Sequence, residues 1–156
     1  MGNPEQDEHF QKAKTVVNRL LNFRPRSEQE LREKLATKKF PHPVVEQTVR
    51  RYKDLNLVDD RQFARQWISS RLKKPFGLNR IRIELKKKGI HAAVIRDAVA
   101  EILQDYDELR TVQELARRRL DQCKNIEPEL ARRRLYGYLQ RRGFNTETII
   151  KVITAL

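Results

Sequence analysis

The most constraining feature of this sequence is a threefold echo in its apolar positions. With Leu31, Ile81 and Leu135 superimposed, Leu35, Leu85 and Leu139 follow four residues later, on the same helical face. Phe40, Ile90 and Phe144 follow at nine, Val45, Ile95 and Ile149 at fourteen, and Val49, Val99 and Ile153 at eighteen. That spacing predicts a helix, a tight turn and a second amphipathic helix, written three times. A further helix precedes each pair, carrying Val16, Val17, Leu20 and Leu21; then Phe63, Ala64, Trp67 and Ile68; then Leu115, Ala116 and Leu120. No segment sustains period-two alternation, so strands are excluded. Helices are predicted over 9–22, 27–39, 43–56, 60–73, 77–88, 91–105, 107–123, 128–142 and 145–155. The fold class is all-α, three tandem three-helix units forming an elongated, curved helical repeat array. The boundaries are an acidic flexible N-terminal tail at 1–11, then repeats at 12–57, 58–107 and 108–156. Units of this size bury little core alone and must lean on their neighbours.

Local punctuation supports those helices. Ser27-Glu28-Gln29-Glu30 is a capping box, in which hydroxyl and carboxylate satisfy each other's orphan amides. Asp59-Asp60 suits the start of the fourth helix, Asn145 the ninth, and Pro128 a first turn. Gly89 and Gly143 each follow a basic last turn, where a left-handed residue closes the helix and cations oppose its dipole.

Charge narrows the function classes. The 156 residues include 34 Lys and Arg against 21 Asp and Glu, a formal charge of +13. The tail carries −3, and the three repeats carry +7, +4 and +5, so the excess runs along the whole chain. An extended positive surface is the footprint of a polyanion or an acidic protein groove, because such charge costs self-repulsion without structural return. The longest charge-free stretch, Gly89 to Ile95, is too short to span a membrane. The acidic N-terminus lacks the form of a secretory signal. The lone Cys123 suggests a reducing compartment and reads as a small buried side chain, so a cytoplasmic location is expected.

Three stretches resemble the RecX family, regulators of the RecA-type recombinase filament. They are Ser27-Glu28-Gln29-Glu30-Leu31 continuing to Leu35; Leu57-Val58-Asp59-Asp60 with Phe63-Ala64; and Gly77-Leu78-Asn79-Arg80-Ile81-Arg82-Ile83-Glu84-Leu85, closing with Lys88-Gly89-Ile90. Arg141-Arg142-Gly143-Phe144 echoes them, and the likeness spans roughly residues 12–156. One departure is Lys39, where such a unit usually places glycine before the aromatic residue. The resemblance implies a non-enzymatic protein lying in the groove of the recombinase–single-stranded DNA filament. There it would bridge protomers, depress ATP hydrolysis and strand exchange, and limit filament extension. The implied partners are the recombinase filament and single-stranded DNA, met directly or through the filament, by a monomer.

The repeat register supplies candidate binding residues. Arg80 and Arg134 are equivalent, as are Lys87 and Arg141; Arg80 and Lys87 lie seven apart on one helical stripe, and so do Arg134 and Arg141. Arg82 corresponds to Arg32, and Lys38, Lys88 and Arg142 form a set at the helix ends. Stacked units would turn these sets into a positive track, with guanidinium groups suited to phosphate or carboxylate. Arg133 and Arg134 are favoured over Arg132, which sits nearer the core face. Arg71, Lys73 and Lys74 form a basic connection beside Phe76, an aromatic that could stack on a base but is better suited to capping the apolar layer. Trp67 belongs to the core. Of Tyr136 and Tyr138, which cannot share a helical face, one is expected among the arginines. The candidate filament or DNA-binding residues are therefore Arg71, Lys73, Lys74, Arg80, Arg82, Lys87, Arg133, Arg134 and Arg141.

Catalytic chemistry finds little support. The five glycines are isolated, so no phosphate loop is present, and His9, His42, His91 and Cys123 lack metal-ligand spacing. No cofactor, metal or catalytic residue is expected. The competing function is a helix-turn-helix-like DNA-binding protein acting through phosphate contacts, with Arg50-Arg51 or Arg96 reaching bases. A third is a basic helical adaptor for an acidic partner unrelated to DNA.

Overall fold

A computed structural model describes residues 4–122 and 125–156. Among them are nine α-helices and no strand: α1 (Pro4–Phe23), α2 (Glu28–Thr37), α3 (His42–Asp54), α4 (Asp60–Leu72), α5 (Leu78–Lys87), α6 (Ala92–Ile102), α7 (Glu108–Asp121), α8 (Pro128–Arg141) and α9 (Thr146–Thr154). The predicted element order holds throughout. One difference is at the start: α1 begins at Pro4, so Glu5, Asp7 and Glu8 lie in its first turns rather than in a flexible tail. Proline is pre-organised for a first helical turn, and carboxylates there complement the dipole. The expectation for Cys123 lies outside the described residues.

Each three-helix unit closes its own apolar core. Leu31, Ile81, Leu135, Leu35, Leu85 and Leu139 are all at most 1% exposed, as the repeat register requires. Around them pack Ala13, Val17, Val45 and Val49 in the first unit, Phe63, Ala64, Ile68 and Val99 in the second, and Val112, Ala116 and Ile149 in the third. On α9 the second buried position is Val152, while Ile153 is half-buried. Removing one fully buried leucine from such a core costs about 2–5 kcal/mol.

Neighbouring units lean on each other through polar contacts, not through a shared core. The C-terminal turn of α5 abuts the N-terminus of α2. There Ser27 Oγ donates to the Lys88 carbonyl at 2.6 Å, and Lys88 Nζ reaches Glu30 Oε1 at 2.8 Å. Asp60 accepts the Glu28 amide at 2.9 Å, satisfying a further orphan donor of α2. The C-terminal turn of α8 abuts the N-terminus of α5 in the same register. The Gly77 amide donates to the Arg142 carbonyl at 2.8 Å, and the Asn79 amide to the Gly143 carbonyl at 3.1 Å. Orphan donors of one helix thus meet orphan acceptors of the next.

This contact dictates the glycines. A Cβ on Gly143 would lie 2.3 Å from Arg80 Cβ and 2.5 Å from its amide nitrogen, and one on Gly89 would lie 2.3 Å from Gln29 Cβ. Both residues are left-handed, with φ of 75° at Gly89 and 83° at Gly143. Lys39 adopts the same conformation, at φ 64°, but is exposed. Its turn carries only the conformational penalty of a side chain, about 1–2 kcal/mol.

Candidate interaction surface

The arginines divide into those held inside the joints and those left open. Arg71 is half-buried and donates to Glu84 Oε2 at 2.7 Å, with its guanidinium 4.7 Å from the Trp67 ring centroid. Arg80 pairs with Glu84 Oε1 at 3.1 Å and donates to the Arg141 carbonyl at 3.4 Å. Phe76 is half-buried beneath three guanidinium groups, those of Arg80, Arg142 and Arg71, at 4.3, 5.1 and 5.4 Å. It is therefore a platform for the joint between the second and third units, with little face left for a nucleotide base. Arg142 also donates to the carbonyls of Lys74 and Pro75 at 2.9 and 3.3 Å.

Electrostatics inside the joints follow from these donors. Burial alone would raise the Glu30 carboxyl, but Arg24, Lys88 and the Ser27 amide hydrogen-bond its charged form and hold it down to about 2. Glu84 is likewise pushed up by burial, yet donors from Arg80, Trp67 and Arg71 keep it below the ordinary carboxylate range. Asp60 moves the other way: burial dominates and raises it, although the Glu28 amide partly compensates.

The remaining candidates form an open surface. Lys87, Arg80 and Arg141 line one cleft across the second joint, together with Asn79 and Gln140. Arg141 also lines a second cavity with Arg133, Arg134 and Arg119, wholly within the third unit. Arg141 thereby links the two, and a basic track runs from Lys87 through Arg80 and Arg141 to Arg134 and Arg133. Lys73 and Lys74 are exposed but line neither cleft. Arg82 is separate: it donates to Asn79 Oδ1 at 3.2 Å and lines a different cavity with Arg96 and Lys86. Tyr136 and Tyr138 are both half-buried against the third core, with Arg119 and Arg142 at 4.9 and 5.0 Å from the Tyr138 ring.

The joint roles of Glu30, Asp60 and Arg142 are not visible in the sequence, where Glu30 and Asp60 suit the starts of helices and Arg142 belongs to the set of helix-end cations. The available signal was Gly89 and Gly143, because a glycine shared by two repeats marks close approach as well as a left-handed turn. Among the described residues no helix is long and apolar enough to cross a membrane, and no group of three His, Cys, Asp or Glu is placed to hold a metal.

Three polar-jointed helical units with a basic flank define a tandem helical-repeat protein. Comparison with known proteins makes the class specific. Residues 13–51 match the first three-helix domain of RecX, 59–99 the second and 105–153 the third. The regulatory protein RecX of Chlorobium phaeobacteroides is 35% identical over 144 residues, covering 92% of each chain. That of Mycolicibacterium smegmatis is 34% identical over 149 residues, covering 92% of this chain and 79% of the relative. The crystal structure of RecX from Lactobacillus salivarius superimposes with a TM-score of 0.82 at 18% identity, covering 96% of this chain and 97% of that one. The chain belongs to the RecX family of regulatory proteins.

Proposed function

We propose that this protein is a negative modulator of a RecA-type recombinase, acting as a cytoplasmic monomer in the groove of the recombinase–single-stranded DNA filament. It bridges protomers there and so slows ATP hydrolysis, strand exchange and filament extension. The observation that carries the reading is the continuous track Lys87–Arg80–Arg141–Arg134–Arg133, which crosses from one helical unit to the next. A repeating partner such as a filament presents charge at intervals, and a jointed array of rigid units meets it at several points. Family membership and the net charge of +13 support the same reading.

DNA-dependent ATP hydrolysis by preassembled recombinase filaments, titrated with this protein at near-physiological salt, tests it. Inhibition is expected well below one molecule per protomer and persists when single-stranded DNA is added in large excess. Inhibition abolished by the extra DNA refutes filament action in favour of sequestration by a helix-turn-helix-like binder with a steep salt dependence. Arg134→Glu with Arg141→Glu is expected to weaken filament binding while leaving the helical circular dichroism intact.

A further inference from the structure

The joints repeat a docking geometry, and the third unit carries a modified copy of the receiving side. In each joint the middle helix's first turns receive the turn that ends the next unit's middle helix. At the start of α2 the receiving residues are Ser27 and Glu30, with Arg26 preceding them; at the start of α5 they are Phe76, Gly77 and Arg80. The equivalent positions on α8 are Leu130, Ala131 and Arg134. No described part of the chain fills that place, and the surface there is a cavity of about 600 Å³.

Two changes alter what this face accepts. Helix α8 begins at Pro128, so the Ala131 amide already donates to the Glu127 carbonyl at 2.9 Å. The equivalent Gly77 amide instead receives the neighbouring unit. A further helical turn docked in the same way would find that donor occupied. The charge has also changed. The α2 face offers Glu30 to a lysine, and the α5 face offers the Phe76 ring to an arginine. The cavity on α8 is lined by Arg119, Arg133, Arg134 and Arg141 and by no acidic residue among those described. Arg133, Arg134 and Arg141 have no carboxylate within ion-pair distance among the described residues. Beside them stands an apolar wall that includes Leu120 and Leu130, the latter 41% exposed.

We propose that this vacant face is the docking site for an acidic peptide segment of a protein partner, one that places an apolar side chain on Leu130 and carboxylates on Arg133, Arg134 and Arg141. Charge complementarity selects the acid, and bidentate guanidinium contacts suit carboxylates. Single-stranded nucleic acid fits less well, because the Tyr138 ring already carries the guanidinium groups of Arg119 and Arg142 at about 5 Å. A second copy of this chain fits less well too. Its exposed turn is Lys38–Lys39, which in register would set Lys38 against Arg134. The inference rests on the proposed function insofar as the partner is the filament, and names what the third unit recognises there.

The test is fluorescence anisotropy of the full chain with a labelled short peptide of Asp, Glu and Leu. The probes for comparison are the same peptide with every Leu replaced by Ser, and an oligothymidylate of equal charge. Binding of the Leu-containing peptide is expected to weaken at least about tenfold in Arg133→Glu with Arg134→Glu, and severalfold in Leu130→Ser. Arg19→Glu with Lys34→Glu, exposed on the first unit and outside the cavity, is expected to leave it within about twofold. Circular dichroism checks that each variant is folded. Equal binding of the Ser peptide, indifference of the folded variants, or tighter binding of oligothymidylate at this face overturns the proposal. Loss of these peptide effects with filament inhibition intact refutes the docking site alone. Site-dependent peptide binding without filament inhibition refutes the proposed function and leaves the docking site standing.

Discussion

One position in the repeat occurs as Lys39, Gly89 and Gly143, and substituting it separates two costs that a glycine usually hides. All three residues are left-handed, so each pays a conformational penalty of about 1–2 kcal/mol when it bears a side chain. Lys39→Gly removes that penalty and gains back roughly 0.5–1 kcal/mol, since glycine also loses more entropy on folding. Gly143→Ala adds the penalty and sets a Cβ 2.3 Å from Arg80 Cβ and 2.5 Å from Arg80 N. Atoms so close force the second joint apart. Two backbone bonds, to the Arg142 and Gly143 carbonyls, then weaken together with the Arg142 contacts to Lys74 and Pro75. At about 0.5–1.5 kcal/mol per bond, loss of all four adds about 2–6 kcal/mol to the φ penalty, a total of about 3–8 kcal/mol. Urea unfolding followed by circular dichroism measures the cost, and small-angle scattering reads the separation of the units as an increased radius of gyration. A Gly143→Ala cost no larger than the Lys39→Gly gain, with an unchanged radius, refutes the reasoning: the turn would then need only its backbone conformation.

Other expectations follow from the first joint. Ser27→Ala removes both the N-cap acceptor for the Glu30 amide and the donor to the Lys88 carbonyl from a fully buried site, and should cost about 2 kcal/mol in urea unfolding. Glu30 has a folded pKa of about 2, below its unfolded value, so the stability it contributes is complete above about pH 5 and is lost as the pH falls toward 2. The wild type should therefore lose about 1–2 kcal/mol more than Glu30→Gln across that window, after allowance for solvent screening, and parallel acid profiles would contradict the joint. Lys88→Met keeps much of the stem packing but leaves Glu30 with one donor fewer; the emission of Trp67, 4.3 Å from the Lys88 ammonium, should change while far-ultraviolet circular dichroism does not.

The cores were legible because burial repeats with the helical period. Leu31, Leu85 and Leu139 each sit where a three-to-four spacing must put them, so helix order and core followed from the pattern alone. The joints carry no period. Ser27 and Lys88 are 61 residues apart, and Arg142 and Lys74 are 68 apart, so each pairing depends on how two finished units meet. Lys87, Arg80 and Arg141 share one cleft, whereas Arg82, two residues from Arg80 and so about 200° round the helix, lines a different cavity and donates to Asn79; grouping it with them by repeat position alone overlooks the helical period. Lys39 was legible as a departure, and its tolerance became clear only once Gly89 and Gly143 were seen pressed against other units.

The division between joint and surface decides how the basic track should be interrogated. Arg80 lies on the track, yet its guanidinium also pairs with Glu84, covers Phe76 and donates to the Arg141 carbonyl. Reversing its charge would set Glu against Glu84 and loosen the joint that holds Lys87 beside Arg141, so lost binding would report geometry as much as recognition. Arg133 and Arg134 are exposed and bear no such duty among the described contacts. Their replacement changes the field of the third unit with its core and joint intact. If recognition resides in the track, Arg133→Glu with Arg134→Glu must weaken binding without moving the scattering profile, while Arg80→Glu must change both.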